Sequence, residues 1–222
     1  MCGRYTLKTS IDVVAEHFGL DEHTSSLTPS YNVAPTQEVA AVIEEDDERK
    51  LEMFRWGLIP SWAKDPAIGN KLINARAETV AEKPSFRSAF KRKRCLIVAD
   101  GFYEWQKAGD GAKQPFYFRM KNSSPFAFAG LWETWDGHGE RIRSCSIITT
   151  DANDLMREIH HRMPVILPAE NYAAWLDPGF EEKEALLDFL RPYPSEEMEA
   201  YPVSRRVNRP SNNEPGVVEP AA

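Results

Sequence analysis

Arg94-Cys95-Leu96-Ile97-Val98-Ala99-Asp100-Gly101-Phe102-Tyr103-Glu104-Trp105-Gln106 reads as two strands separated by an Asp-Gly turn. Residues 95–99 are continuously apolar, the pattern of a strand covered on both faces. Residues 102–106 mix aromatic and polar side chains at strand spacing. Working outward, the pattern predicts strands over 95–100, 102–106, 115–120, 126–134 and 142–149, bounded by Gly, Asp or Asn. Upstream, 38–43 and 51–56 read as strands around the acidic turn Glu44-Glu45-Asp46-Asp47-Glu48. Helices are expected at 11–18, over about 78–91 with a break near Pro84, over 151–159 with Asp151 as cap, and at 170–176 and 181–190. A further short strand is expected at 164–167. Strands fill the middle and helices the flanks, without strand–helix alternation. The fold class is therefore α+β: a single domain with a mostly antiparallel, barrel-like β core and flanking helices. The domain spans residues 1–210, and the patternless 211–222 is expected to be a loose tail.

With 222 residues, 42% of them hydrophobic, the chain suits one large core. No apolar run is long enough to span a bilayer and no secretory signal precedes the domain, so a cytoplasmic protein without membrane contact is expected. Three cysteines do not form a disulfide framework, and Cys95 and Cys145 lie in strand-like apolar runs as core residues. The spacing of Cys and His fits no metal site, and there is no glycine-rich phosphate loop, so neither metal nor cofactor is expected. The net charge of −7 weighs mildly against a nucleic-acid partner. Its distribution weighs the other way: Lys83, Arg87, Lys91, Arg92, Lys93 and Arg94 occur within twelve residues that contain no acid.

The first residues carry the most pointed chemistry. Met1 precedes a small side chain, so its removal is expected to leave Cys2 with an α-amine and a thiol on adjacent carbons. An α-amine titrates at roughly pH 7.7–8.0, which leaves a nucleophilic fraction at neutral pH. It can attack an aldehyde to give an imine, and the thiol can close a five-membered thiazolidine on the same carbon. Alternatively the thiol attacks an amide, with the amine as its base. Elsewhere, strand alternation sets Glu104 opposite Tyr103 and Trp105, where a carboxyl beside apolar surface can donate a proton. Asn74 and Arg76 are two apart and share a face if extended, with Glu78 available to hold Arg76. Of His160 and His161, one is expected to face water and one to shuttle a proton. Trp62, in the long connection 57–72, can stack on a nucleobase or anchor its own loop.

Six segments occur in order: Cys2-Gly3-Arg4, Tyr31-Asn32-Val33-Ala34-Pro35, Trp56-Gly57-Leu58-Ile59-Pro60, Asn74-Ala75-Arg76-Ala77-Glu78-Thr79, Asp100-Gly101-Phe102-Tyr103-Glu104-Trp105 and His160-His161-Arg162-Met163-Pro164. Together they resemble the SRAP family of SOS-response-associated peptidases, also called abasic-site processing proteins. The resemblance runs over most of the chain and departs at His161, where Asp is common, and at Tyr5, where Phe is common. It implies binding of single-stranded DNA and of single-strand/duplex junctions, and a covalent cross-link to abasic sites. The same resemblance makes Cys2 the nucleophile, Glu104 the proton donor and acceptor, and His160 an assistant to ring opening and reversal. By it, Asn74 and Arg76 hold the N-terminus and the phosphates beside the lesion, and Arg4, Asn32, Trp62 and Thr149 lie near the DNA-binding surface. The peptidase label implies removal of Met1, and lyase activity and a monomer are expected. Two other readings remain: an N-terminal-nucleophile amidohydrolase using the Cys2 thiol, and a single-stranded DNA-binding module without chemistry.

Overall fold

The continuous apolar run 95–99 lies in the central strand of a barrel. The computed structural model describes residues 2–20, 27–46, 48–107, 111 and 113–221. Met1, whose removal is expected to free the Cys2 amine, and Asp47 of the acidic turn lie outside the described residues. In chain order the elements are β1 Tyr5–Leu7, α1 Ile11–Phe18, β2 Ser30–Val33, β3 Glu38–Glu45, β4 Glu48–Trp56, β5 Asn74–Arg76, α2 Arg87–Arg92, β6 Arg94–Ala99, β7 Gly101–Lys107, β8 Lys113–Met120, β9 Phe126–Gly137, β10 Glu140–Asp151, α3 Asp154–Arg157, β11 Arg162–Pro164, β12 Ile166–Leu167, α4 Tyr172–Leu176, α5 Lys183–Asp188 and β13 Met198–Pro202.

Strands β10, β4, β3, β6 and β9 pair in that order, and β9 pairs back onto β10, closing a five-stranded barrel. Only the β4–β10 pairing in that ring is parallel. Closure removes the free edges that an open sheet would expose. All six residues of β6 are buried: 95–99 as an unbroken apolar run, and Arg94 with its guanidinium donating to backbone carbonyls. The β9–β10 hairpin extends beyond the sequence reading toward its turn, in which His138 and Gly139 both adopt positive φ.

A second sheet, in the order β13-β8-β7-β1-β2, lies against the barrel and carries the N-terminus. The Tyr5 ring, on β1, meets Trp56 edge-on at 5.3 Å and Phe128 at 5.7 Å, joining the two sheets. The Asp-Gly turn between β6 and β7 anchors β1. Asp100 accepts hydrogen bonds from the Thr6 hydroxyl (2.6 Å), the Lys8 and Thr9 amides (2.7 and 2.8 Å) and the Thr9 hydroxyl (2.8 Å). Gly101 leaves room for Tyr117, whose hydroxyl would stand 2.1 Å from a Cβ at that position.

Several sequence expectations are corrected. The helix predicted over 78–91 is confined to Arg87–Arg92, because 77–86 forms turns that include Pro84. The helix predicted over 151–159 shrinks to Asp154–Arg157, capped by the Asn153 side chain on the Met156 amide at 3.0 Å. Asp151 instead ends β10. Residues 211–221 are packed and not loose, and Ala222 lies outside the described residues. Val217 is fully buried with Val203 and Val207, Val203 bridges Pro220, and Asn213 accepts from the Tyr31 amide at 2.6 Å. No helix among the described residues is long and apolar enough to cross a membrane.

Candidate active site

Antiparallel pairing of β1 with β7 sets Tyr5 opposite Phe102, and the Tyr103 amide donates to the Arg4 carbonyl at 3.0 Å. The ladder thus carries the chain start along Glu104. Cys2 is fully buried, and Asn74 at the start of β5 donates its side-chain amide to the Cys2 carbonyl at 2.8 Å. β5 is held in place by parallel pairing with β10, Asn74 opposite Ile147 and Arg76 opposite Thr149. The Asn74 Oδ1 is buried and has no hydrogen-bond partner among the described residues. Burial pushes the Cys2 thiol well above its ordinary range, and the Glu104 charge pushes it further in the same direction.

Glu104 is 4% exposed. Its neighbour Tyr103 turns the other way, into the cluster with Tyr117, Val203, Val207 and Val217, as strand alternation requires. Burial raises the Glu104 carboxyl to about 7, against the Trp105 backbone hydrogen bond and the charge of Lys113. Glu104, Trp105, Lys113, His160 and Asn208 line an open cleft of about 470 Å³. His160 Nδ1 lies 2.9 Å from the Arg162 carbonyl and 3.1 Å from the Arg162 amide nitrogen. Nδ1 donates to that carbonyl in one tautomer and accepts from the Arg162 amide in the other. Burial lowers the His160 pKa, opposed by the Arg162 backbone hydrogen bond and aided by the charges of His161 and Arg162. The shift favours the neutral imidazole. His161 is exposed and stacks on His160 with ring centroids 4.5 Å apart. A carboxyl that titrates near neutrality and an imidazole biased toward its neutral form thus share one cleft, and the carboxylate's charge reaches a buried thiol. No cluster of His, Cys, Asp or Glu suited to a metal ion occurs among the described residues.

Residues 1–210 match the family described as SOS response associated peptidase (SRAP). The chain belongs to the SRAP family. A SRAP relative from Bacillus subtilis, "Abasic site processing protein YoqW", is 48% identical over 222 residues and covers 99% of each chain. In Xenopus tropicalis, "Abasic site processing protein HMCES" is 34% identical across 88% of this chain and 67% of its own length. Among solved structures, a Bacteroides thetaiotaomicron protein superposes with a TM-score of 0.89 at 33% identity, over the full length of both chains.

The other SRAP motif residues divide into those that face outward and those that support. Arg76 is exposed on β5, and Trp62 is 59% exposed. The loop bearing Trp62 is fixed from below: the Trp135 indole donates to the Ala63 carbonyl at 2.7 Å, and the Ile59 amide donates to the Ser144 hydroxyl at 2.8 Å. Trp62 is thus not the anchor of its own loop. Asn32 and Thr149, expected near a DNA-binding surface, are each 1% exposed. Asn32 donates to the carbonyls of Val207, Arg209 and Asn212, and accepts from the Arg4 guanidinium at 2.8 Å. Thr149 spends its hydroxyl on the Ala75 carbonyl. Both spend their polar groups inside the protein. Arg4 also donates to the Val207 carbonyl and lies over the Trp105 ring, 5.8 Å from its centroid, so it braces the cleft. Glu78 does not hold Arg76 through a hydrogen bond. Its carboxylate is gripped by Arg162, which also reaches Asp151 and the Thr149 carbonyl. Sequence reading missed Lys113 and Asn208, which come from β8 and the C-terminal segment. The Trp105 indole holds Asn208 at 2.8 Å.

Proposed function

We propose that this protein processes abasic sites in DNA. It captures the ring-opened sugar aldehyde, in single-stranded DNA and at junctions with duplex, as a thiazolidine on Cys2 once Met1 is gone. The observation that carries this reading is the grip of Asn74 on the Cys2 main chain, with a buried Oδ1 left over. An unpaired acceptor beside the chain start is suited to a newly freed α-amine, orienting its lone pair toward an electrophile. The names of the relatives supply the substrate class.

The steps follow from the groups present. The Cys2 amine adds to the aldehyde carbon. Glu104, with its carboxyl near 7, protonates the carbinolamine hydroxyl, which leaves as water and gives the imine. The Cys2 sulfur then adds to the imine carbon while its proton passes to the nitrogen. One water is lost overall. His160, in the same cleft, moves protons during opening of the sugar ring and during reversal, the step in which a lyase product would arise. Arg76 and Trp62 are the outward groups for phosphate and base.

A thiolate peptidase or amidohydrolase is less well supported. Such a nucleophile needs a depressed thiol pKa, and burial drives that of Cys2 upward. The test is Cys2→Ser. The variant should lose the heat-stable adduct yet give an imine that borohydride traps. An equally heat-stable adduct from Cys2→Ser would refute ring closure.

A further inference from the structure

We infer that the cavity between α2 and α5 is a second binding site, for a nucleotide phosphate. The cavity has a volume of about 440 Å³ and is lined by Ala81, Arg87, Ser88, Phe90, Lys91, Glu181, Lys183 and Leu186. It shares no lining residue with the cleft at Glu104. The basic run that stands out in the sequence divides here into two sets. Arg92 pairs with Glu181 at 2.7 Å, and Lys93 pairs with Glu133. Arg94 is buried and donates to the carbonyls of Phe90, Lys91, Trp175, Asp177 and Phe180, tying the end of α2 to the segment that follows α4.

Arg87 and Lys91 have neither an ion pair nor a side-chain hydrogen bond among the described residues, and neither has Lys183, which meets them from α5. Three unpaired cations therefore converge on one cavity of a protein whose net charge is −7. The one carboxylate lining the cavity, Glu181, is hydrogen-bonded by Arg92 and also feels the charge of Lys91. The interior is apolar, with Phe90 and Leu186 both buried, and Ser88 adds a hydroxyl at the rim. Cations around an apolar floor suit a phosphate attached to a flat, weakly polar group, and the volume is of ligand size. Choosing a nucleotide over another phosphate carrier rests on the DNA reading above. Its source is either one residue of a bound strand or a free mononucleotide.

The experiment uses the full chain and the triple variant Arg87→Ala/Lys91→Ala/Lys183→Ala, all three positions being exposed. A control variant, Lys121→Ala/Arg141→Ala/Arg191→Ala, removes the same charge elsewhere. Binding of a twenty-nucleotide oligothymidylate is measured against salt. Amide shifts are followed on adding dTMP. The triple variant should bind the oligonucleotide about tenfold more weakly than the control, with its salt slope shallower by about 0.7 for each phosphate it no longer neutralises. In the unaltered protein, dTMP should shift the amides of Ser88, Lys91 and Leu186. If dTMP shifts them while oligonucleotide affinity stays the same in both variants, the phosphate site stands and its source is the free nucleotide. No dTMP shift, together with equal affinities, overturns the proposal. Cross-linking to a five-nucleotide abasic strand tests the Cys2 reading separately and should be unchanged in the triple variant. Its failure in the unaltered protein would remove the Cys2 reading and leave the salt and shift results to judge this one.

Discussion

The charge of Glu104 adds to burial in holding the proton on the Cys2 thiol. Glu104 itself sits near 7, so the pair enters the reaction with a neutral thiol and a carboxyl that can give a proton. The rate of adduct formation should rise toward neutrality as the α-amine, titrating at roughly 7.7–8.0, loses its proton. It should fall above about 8 as Glu104 ionises. Glu104→Gln should slow single-turnover cross-linking by about 10²–10⁴-fold and abolish the falling limb. A falling limb that survives in Glu104→Gln would assign the acid elsewhere.

The same residue should lower stability at alkaline pH. Its carboxyl moves from 4.5 to about 7 on folding, so the ionised form is disfavoured in the native state. The contribution is fully present below about 4.5 and is lost as pH rises through about 7. At pH 8, Glu104→Gln should therefore unfold at higher urea than the parent, by up to about 3 kcal/mol, and near pH 4 the two should coincide. Equal stability at both values would mean that Glu104 is not desolvated.

The C-terminal segment should be structural. Removing residues 211–222 takes away fully buried Val217 and the Asn212 carbonyl that Asn32 bonds at 2.8 Å. The expected loss is about 2–4 kcal/mol in denaturant unfolding. Cross-linking should weaken too, because Arg4 and Asn208 brace the cleft through neighbouring residues. A truncated chain as stable as the whole would contradict this packing.

Most of the fold was legible because strands of the barrel carry buried apolar runs, of which 95–99 is the clearest. What failed was local reading at places decided by distant partners. The segment 211–221 lacks any period, yet Tyr31 and Asn32 hold it across nearly two hundred residues of sequence. Asn32 and Thr149 stand in motifs beside reactive groups, and nothing in their spacing distinguishes a wall from a surface. Lys113 and Asn208 reach the cleft from β8 and the chain end, in segments with no chemical signature. Cys2 and Glu104 stand out in the sequence because their chemistry is peculiar to them. A 1,2-aminothiol exists only at a chain start, and strand alternation alone turns Glu104 away from Tyr103.

Trp62 should act on DNA and not on folding. It is 59% exposed, and Trp135 supports its loop through the Ala63 carbonyl. Trp62→Ala should leave the melting temperature unchanged and weaken single-stranded DNA binding by about 1–3 kcal/mol, the range for loss of one stacked base. Fluorescence anisotropy at fixed salt measures it. Unchanged affinity would place the base-stacking group elsewhere.

The central claim is that Cys2 joins an abasic aldehyde through both its amine and its thiol. Denaturing intact-mass analysis of the protein after incubation with single-stranded DNA bearing one abasic site tests it most directly. The account predicts one new species, with the mass of the protein lacking Met1 plus that of the DNA minus one water. Free protein and free DNA alone, from a sample already lacking Met1, would contradict it.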